Sequence, residues 1–272
     1  MQHWIRFRHN GQTGFGALQD GRITVHDGDM FEHPRPTNLT LPQQAVTMLT
    51  PCTPSKMIGL WNNFQERARV EGLQRPAHPL YFLKGNNCFA AHGDYLRRPT
   101  NYDGAVVFEG ELGVVIRKRC SNVPVAEVDR YIFGYTCVND VTARHYLKAD
   151  SSFTQWSRAK SFDTFGVFGP VISEDTNADD LTVQSFVNGK EMQNYAVSDM
   201  FYSPQEIVSL ISQDMTLFPG DVIACGTSVG TGALAPGDRV EISIHDIGTL
   251  ANVYDRRQAS RSMTTNERRK VS

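Results

Sequence analysis

The sequence lacks the features that would set it apart from ordinary soluble globular proteins. It has no run of about 18 apolar residues, the length a membrane-crossing helix needs, so no membrane partner is expected. Met1 to Asn10 alternates polar and aromatic residues and has no apolar stretch of the kind that makes a secretory signal. Charge of neither sign dominates: 27 Lys and Arg face 29 Asp and Glu, for a formal net charge of −2. With 22 Gly and 13 Pro, close to average usage, collagen-like and wholly disordered readings fail. The five cysteines (Cys52, Cys88, Cys120, Cys137 and Cys225) are odd in number, widely spread and never spaced C-x-x-C, which argues against a zinc ribbon. Reduced thiols in a cytoplasmic protein fit best. At 272 residues the core needs no disulfide staples.

The organisation reads as three parts. Residues 1–50 carry short alternating strands, Trp4 to Arg8 and Arg22 to His26, separated by Gly-rich turns. Pro34, Pro36, Pro42, Pro51 and Pro54 then punctuate a connector. Residues 55–255 are strand-rich, with Lys56 to Trp61, a long valine-rich run from Ala105 to Ile116, Tyr131 to Val138, Leu181 to Val187, Val222 to Cys225, Arg239 to Ile244 and Leu250 to Tyr254. One helix is well marked: Ser203-Pro204-Gln205-Glu206 is a capping box with Pro at the first helical position. Strands dominate without regular βαβ alternation, which predicts an α+β fold with a mostly antiparallel or mixed sheet. Residues 256–272 hold six basic residues against Glu267 alone and read as a disordered, solvated tail. No aromatic is interleaved there, and no nucleic-acid partner is expected.

The chemistry concentrates in four places. Glu109 and Glu111 stand at i and i+2 of an apolar strand and so face one side. Two desolvated carboxylates repel, and a hard divalent cation resolves this; the alternative is an edge strand with both acids solvated. Asp140 follows the Tyr131 to Val138 strand, where it is either a third acid beside the sheet or the N-cap of a short helix from Val141 to Leu147. Arg144 could hold a substrate carboxylate in a bidentate fork. Lys160, in a segment flanked by Gly166, Gly169 and Pro170, could move a proton or stabilise an enolate beside a metal, with its pKa lowered by burial and by the cation. Gly226 and Thr227 open a glycine- and hydroxyl-rich loop that can offer N–H groups to an anion; it is neither a P-loop nor a dinucleotide fingerprint.

Taken in order, these pieces resemble the fumarylacetoacetate hydrolase family. The matching motifs are Glu109-Gly110-Glu111, Gly134-Tyr135-Thr136 to Asn139-Asp140-Val141-Thr142-Ala143-Arg144, Lys160-Ser161-Phe162-Asp163-Thr164 to Gly169-Pro170, and Pro219-Gly220-Asp221 to Gly226-Thr227. The resemblance implies a mixed β-roll core with a small N-terminal domain and a homodimer as the assembly. It implies Mg²⁺ or Mn²⁺ on Glu109, Glu111 and Asp140, with Lys160 and Thr164 lining the same site. It implies small-molecule 2-oxo or β-diketo acids as substrates, whose vicinal oxygens chelate the metal.

The chain departs from the family at one point. Hydrolytic members carry a His, with a Glu three residues on, in a lid segment; counting from Gly59, Gln65 and Ala68 stand at those positions here. Glutamine cannot act as a base near neutral pH. Glu66 and His145 are the substitutes at hand, and Trp61, Asn62, Tyr81 and Lys84 are candidate contacts for the substrate's side chain. The pattern therefore favours decarboxylation or isomerisation of a dicarboxylic 2-oxo acid, of the 2-hydroxyhepta-2,4-diene-1,7-dioate type, through an enolate. The alternatives are C–C bond hydrolysis of an acylpyruvate or fumarylacetoacetate-like acid, and a family member that binds a ligand without turnover or serves biosynthesis.

Overall fold

Short alternating and valine-rich runs become twenty strands and three α-helices among the described residues, which in this computed structural model are 2–174 and 176–255. The basic tail expected from the sequence lies outside them. The largest sheet runs in the order Arg35–Pro42, Arg22–Asp27, Gln12–Gln19, Gln2–His9, Gly166–Glu174, Ile132–Asp140, Gly110–Ile116, Val222–Ala224, Met57–Trp61 and Leu80–Lys84. Val222–Ala224 runs parallel to Met57–Trp61, and the other neighbours on this path are antiparallel. The first four strands of the chain extend this sheet, with Trp4 opposite Ile172. A five-stranded sheet (Lys190–Ala196, Thr182–Val187, Arg239–Ile244, Gly248–Tyr254, Tyr95–Leu96) packs against it.

Every residue of Gly110–Ile116 and of Ile132–Asp140 is buried, as a strand covered on both faces requires. Leu112, Val114 and Ile116 join one core cluster with Val183, Ile242 and Leu250 of the five-stranded sheet. Val115 and Val138 point the other way, into a second cluster with Trp4, Met57 and Phe168. By the two-residue period of a strand, Glu111 and Asp140 continue that second face.

A third, small sheet positions the functional residues. Its order is Thr142–Ala143, Val106–Phe108 and Gly232–Ala233. These segments adjoin, in the chain and in the same order, the large-sheet strands Ile132–Asp140, Gly110–Ile116 and Val222–Ala224. Three neighbouring chain segments therefore pass from one sheet to the other along one line, and Glu109, Asp140 and the Gly226–Thr227 turn lie on it.

The structure corrects three readings of the sequence. The single strand expected over 105–116 is two, broken at Glu109 because the Asn139 side chain takes its N–H (3.1 Å) and Asp140 N–H takes its carbonyl (2.9 Å). The proline-punctuated connector contains the strand Arg35–Pro42, which accommodates Pro36 and Pro42 at the sheet edge, where a missing N–H costs little. Asp140 caps no helix: the two-residue strand Thr142–Ala143 follows it, and the 3₁₀ helix Arg144–Lys148 starts later, with Ala143 at its N-cap. The capping box at Ser203 is present as expected, at the start of the helix Pro204–Asp214.

Candidate active site and metal centre

Where the sheets diverge, one carboxylate oxygen from each of Glu109, Glu111 and Asp140 lies within 4.8 Å of the others. Glu111 and Asp140 are 1% and 0% exposed. Unpaired buried carboxylates are destabilising by several kcal/mol each, so their partners decide what the cluster is. Asp140 is doubly paired: Lys84 Nζ donates to Oδ1 and Lys160 Nζ to Oδ2 (2.5 Å). Lys160 also donates to Glu109 Oε2 at 2.7 Å. Among the described residues no lysine lies within bonding distance of Glu111. Its Oε2 accepts the Gly226 N–H (2.8 Å), while the buried Oε1 has no partner among them.

The proton affinities follow this pairing. Burial raises the Asp140 pKa, but Lys160 and Lys84 outweigh it and hold the carboxyl below its ordinary value. Burial, then the charge of Asp140, pushes Glu111 well above the usual carboxylate range. Burial of Lys160 favours the neutral amine, but Asp140, Glu109 and Glu111 reverse the sign and keep it protonated. The lowering that burial brings is thus outweighed, in the metal-free protein, by the three acids around it.

Three oxygen donors, one with a buried oxygen that nothing satisfies, suit a hard divalent cation. The turn after Val222–Ala224 contributes to the cradle. Gly226 adopts φ +91°, a conformation natural to glycine, and there its N–H reaches Glu111.

A cavity of about 860 Å³ opens on Glu109 and Lys160. One wall is aromatic: Trp61, Phe82 and Trp156 line it, with Trp156 stacked on Phe82 at 5.0 Å. Lys160 Nζ lies 5.0 Å from the centre of the Phe82 ring. Trp156 and Lys160 are four residues apart on the helix Trp156–Lys160 and so share a face. Arg144, His145, Lys148 and Thr227 line the same cavity.

A family model described as fumarylacetoacetate (FAA) hydrolase C-terminal matches residues 56–254. The chain belongs to the fumarylacetoacetate hydrolase family. It is an enzyme of that family's lyase, isomerase and hydrolase range. A second model, described as Rv2993c-like, N-terminal, matches residues 2–51. Among curated relatives, Protein Rv2993c of Mycobacterium tuberculosis is 39% identical over 82% of this chain and 83% of its own length. The oxaloacetate tautomerase YisK of Bacillus subtilis is 35% identical over 73% of this chain and 69% of its own. Among solved structures, a 2-hydroxyhepta-2,4-diene-1,7-dioate isomerase from Mycobacterium marinum superposes with a TM-score of 0.87 at 34% identity, covering 95% of this chain and all of the other.

Within this family fold, the structure brings Glu109, Glu111, Asp140 and Lys160 together and places Arg144, His145 and Thr227 on the adjoining cavity. Three expected site residues lie elsewhere. On the helix Gln65–Glu71, Arg67 and Glu71 share the cavity face; Gln65, roughly half a turn round from Arg67, is exposed on the far flank. The Glu66 carboxylate is taken by Arg69, with one oxygen at 2.8 Å and the other at 2.7 Å. Thr164 sits at φ +69° and accepts the Arg97 N–H at 2.7 Å, beside a different depression lined by Asp94, Arg97 and Asp163.

Sequence reasoning treated Lys84 with Trp61, Asn62 and Tyr81 as a specificity contact and missed its bond to Asp140. The signal was available, because Lys84 shares its strand face with buried Phe82 two residues earlier. Tyr81, on the other face, donates its hydroxyl to Asp214 at 3.1 Å, away from the cavity.

Proposed function

We propose that this enzyme acts on a 2-oxo or β-diketo carboxylic acid by proton transfer or loss of CO₂ through an enolate, with Mg²⁺ or Mn²⁺ held by Glu109, Glu111 and Asp140. The observation that carries the reading is Glu111 Oε1, a buried carboxylate oxygen without a partner inside a three-carboxylate cluster. A cation bound there supplies Lewis-acid stabilisation of the oxyanion that develops when the 2-oxo acid enolises.

The chain's own residues divide the remaining work. Arg144 has the fork geometry to take the substrate's carboxylate. Lys160, protonated and on the cavity wall, gives its proton to the carbon that loses CO₂ or to the carbon of an enol, and in the second case its amine takes back the proton of the enol hydroxyl. The aromatic wall keeps water from the unsaturated part of the substrate. Enolisation and decarboxylation need no base to activate water, and Gln65 supplies none. Relatives named a tautomerase and an isomerase support the proton-transfer reading, beside a neighbour named a fumarylacetoacetate hydrolase. One observation favours a hydrolytic second reading: His145 is an imidazole on the cavity wall, within the same space as Lys160.

The test is the melting temperature with Mn²⁺ alone and with Mn²⁺ plus oxalate, a planar mimic of the enolate. The wild type should show a metal rise and a further, metal-dependent oxalate rise, and Glu111→Gln should show neither. Oxaloacetate is then followed for enol–keto exchange and CO₂ release, and an acylpyruvate for cleavage. A wild type unmoved by metal and oxalate overturns the proposal. Cleavage of the acylpyruvate that His145→Gln abolishes, without enol–keto exchange, selects the hydrolytic reading.

A further inference from the structure

The dipeptide unit between Glu109 and Glu111 is held in a way that the metal reading does not by itself require. Large-sheet pairing with Val222–Ala224 covers only Gly113 to Val115, followed by one bond from Cys225 N–H to Leu112 O (2.9 Å). On that flank Gly110 is left without a strand partner. Side chains take both of its backbone groups. Its N–H donates to Gln193 Oε1 (3.0 Å), and its carbonyl accepts from Tyr195 Oη (2.5 Å) and from Thr227 Oγ1 (2.8 Å).

These side chains are themselves fixed. Gln193 and Tyr195 stand at i and i+2 of Lys190–Ala196 and face one side. Gln193 is 2% exposed, and its Oε1 also accepts from Ser185 Oγ (3.0 Å). Its Nε2 donates to Thr227 Oγ1 (2.9 Å) and to the Val229 carbonyl (3.2 Å). The Tyr195 ring packs edge-on against Phe64 at 4.9 Å. Glycine at residue 110 suits this approach, since a Cβ there would crowd the end of the Ile242 side chain at 2.9 Å and Gln193 Oε1 at 3.1 Å. A strand of the five-stranded sheet thus grips both peptide groups that link Glu109 to Glu111.

We infer that Gln193 and Tyr195 are positioning residues that fix the separation of the Glu109 and Glu111 carboxylates, and so set which size of divalent cation the site accepts. The inference rests on the metal reading above. Outer partners of this kind typically change metal affinity by about 10- to 100-fold when removed. Small cations such as Mn²⁺ need tighter, more regular oxygen geometry than Ca²⁺, so a loosened clamp narrows the preference between them.

The experiment measures Mn²⁺ and Ca²⁺ dissociation constants by calorimetry on the full chain, together with the metal-free melting temperature. The variants are Gln193→Leu, Tyr195→Phe and Ser212→Ala. Ser212 is buried away from the site and accepts the Val123 N–H at 2.9 Å, so its loss reports general destabilisation. Gln193→Leu should weaken Mn²⁺ about 10- to 100-fold and Ca²⁺ distinctly less. Tyr195→Phe, which keeps the ring on Phe64, should shift the ratio the same way by a smaller factor, and it decides the matter if Gln193→Leu does not fold. Ser212→Ala should lower the melting temperature without moving the ratio. An unchanged Mn²⁺ to Ca²⁺ ratio in both clamp variants overturns the inference and leaves the metal reading standing. A wild type that binds neither cation overturns both.

Discussion

Two buried acids in this molecule, Asp221 and Glu111, differ in what meets them. Asp221 is 0% exposed and every acceptor position is used. Its Oδ1 takes Ser55 N–H (3.0 Å), Ser55 Oγ (2.6 Å) and Lys56 N–H (3.1 Å), and its Oδ2 takes Phe218 N–H (2.9 Å) and Lys56 Nζ (2.5 Å). It ties the Pro219–Asp221 turn to the start of the Met57–Trp61 strand. Glu111 is as deeply buried and has one bond and an orphan oxygen. A satisfied buried carboxylate is a structural tie, whereas one left short of partners, among other acids, is arranged for something the protein alone does not provide.

The widest separation between the two should come from Asp221→Ala, which leaves Lys56 and four donors without their acceptor. It should cost about 3–5 kcal/mol in denaturant unfolding, the range for breaking a buried pair, while the folded fraction still shows a Mn²⁺-dependent rise in melting temperature. Next in size is metal itself. Mn²⁺ at a hundredfold excess over its dissociation constant should stabilise the wild type by about 2.7 kcal/mol and Glu111→Gln not at all. A Mn²⁺ effect that survives in Glu111→Gln would erase the distinction. Without metal, Glu111→Gln should be more stable than the wild type by about 1 kcal/mol, because the amide is neutral from the start and keeps the Gly226 contact, whereas the carboxyl must either stay charged in a buried site or take up a proton on folding. A loss of stability on that substitution would mean that Glu111, like Asp221, is a structural tie.

The smallest expected effect concerns the thiols at the two places. Cys52 donates to the Gly220 carbonyl (3.3 Å) near Asp221, and Cys225 adjoins the Gly226 turn near Glu111. Burial raises the pKa of both, and the thiol of Cys137 is pushed up to about 12 by the same cause. All five cysteines are free and buried. A disulfide reagent should therefore find no fast-reacting thiol in the native protein, with or without Mn²⁺, and five after unfolding. A fast thiol that Mn²⁺ protects would place solvent access at the Glu111 end alone.

Much of the site was legible in the linear sequence, for physical reasons that can be named. Glu109 and Glu111 could be paired because a strand repeats every two residues, and Asp140 could be placed because a mostly apolar strand pattern, Tyr131 to Val138, ends just before it. The capping box at Ser203 is a local pattern with a local partner, and it was read correctly. Lys160 was found from its motif, but the pairing that raises its proton affinity in the metal-free protein was not, since that depends on three acids 20 to 51 residues away in the chain. Gln65 and Glu66 were misplaced for a different reason. Counting along a lid gives a position in the sequence, and the hundred-degree step of a helix decides which side faces the cavity.

By itself, then, the amino-acid order determined the strand-dominated class, the order of the motifs, the family and the carboxylate set. Each of these rests on period, spacing or residue chemistry, which a chain carries whatever surrounds it. Only the tertiary structure decided where the long valine-rich strand breaks, which lysine meets which acid, and that Gln193 and Tyr195 hold the peptide between Glu109 and Glu111. These are contacts across 56, 83 and 85 residues, and they exist only once two sheets have packed face to face and left one stretch of strand to be completed by side chains.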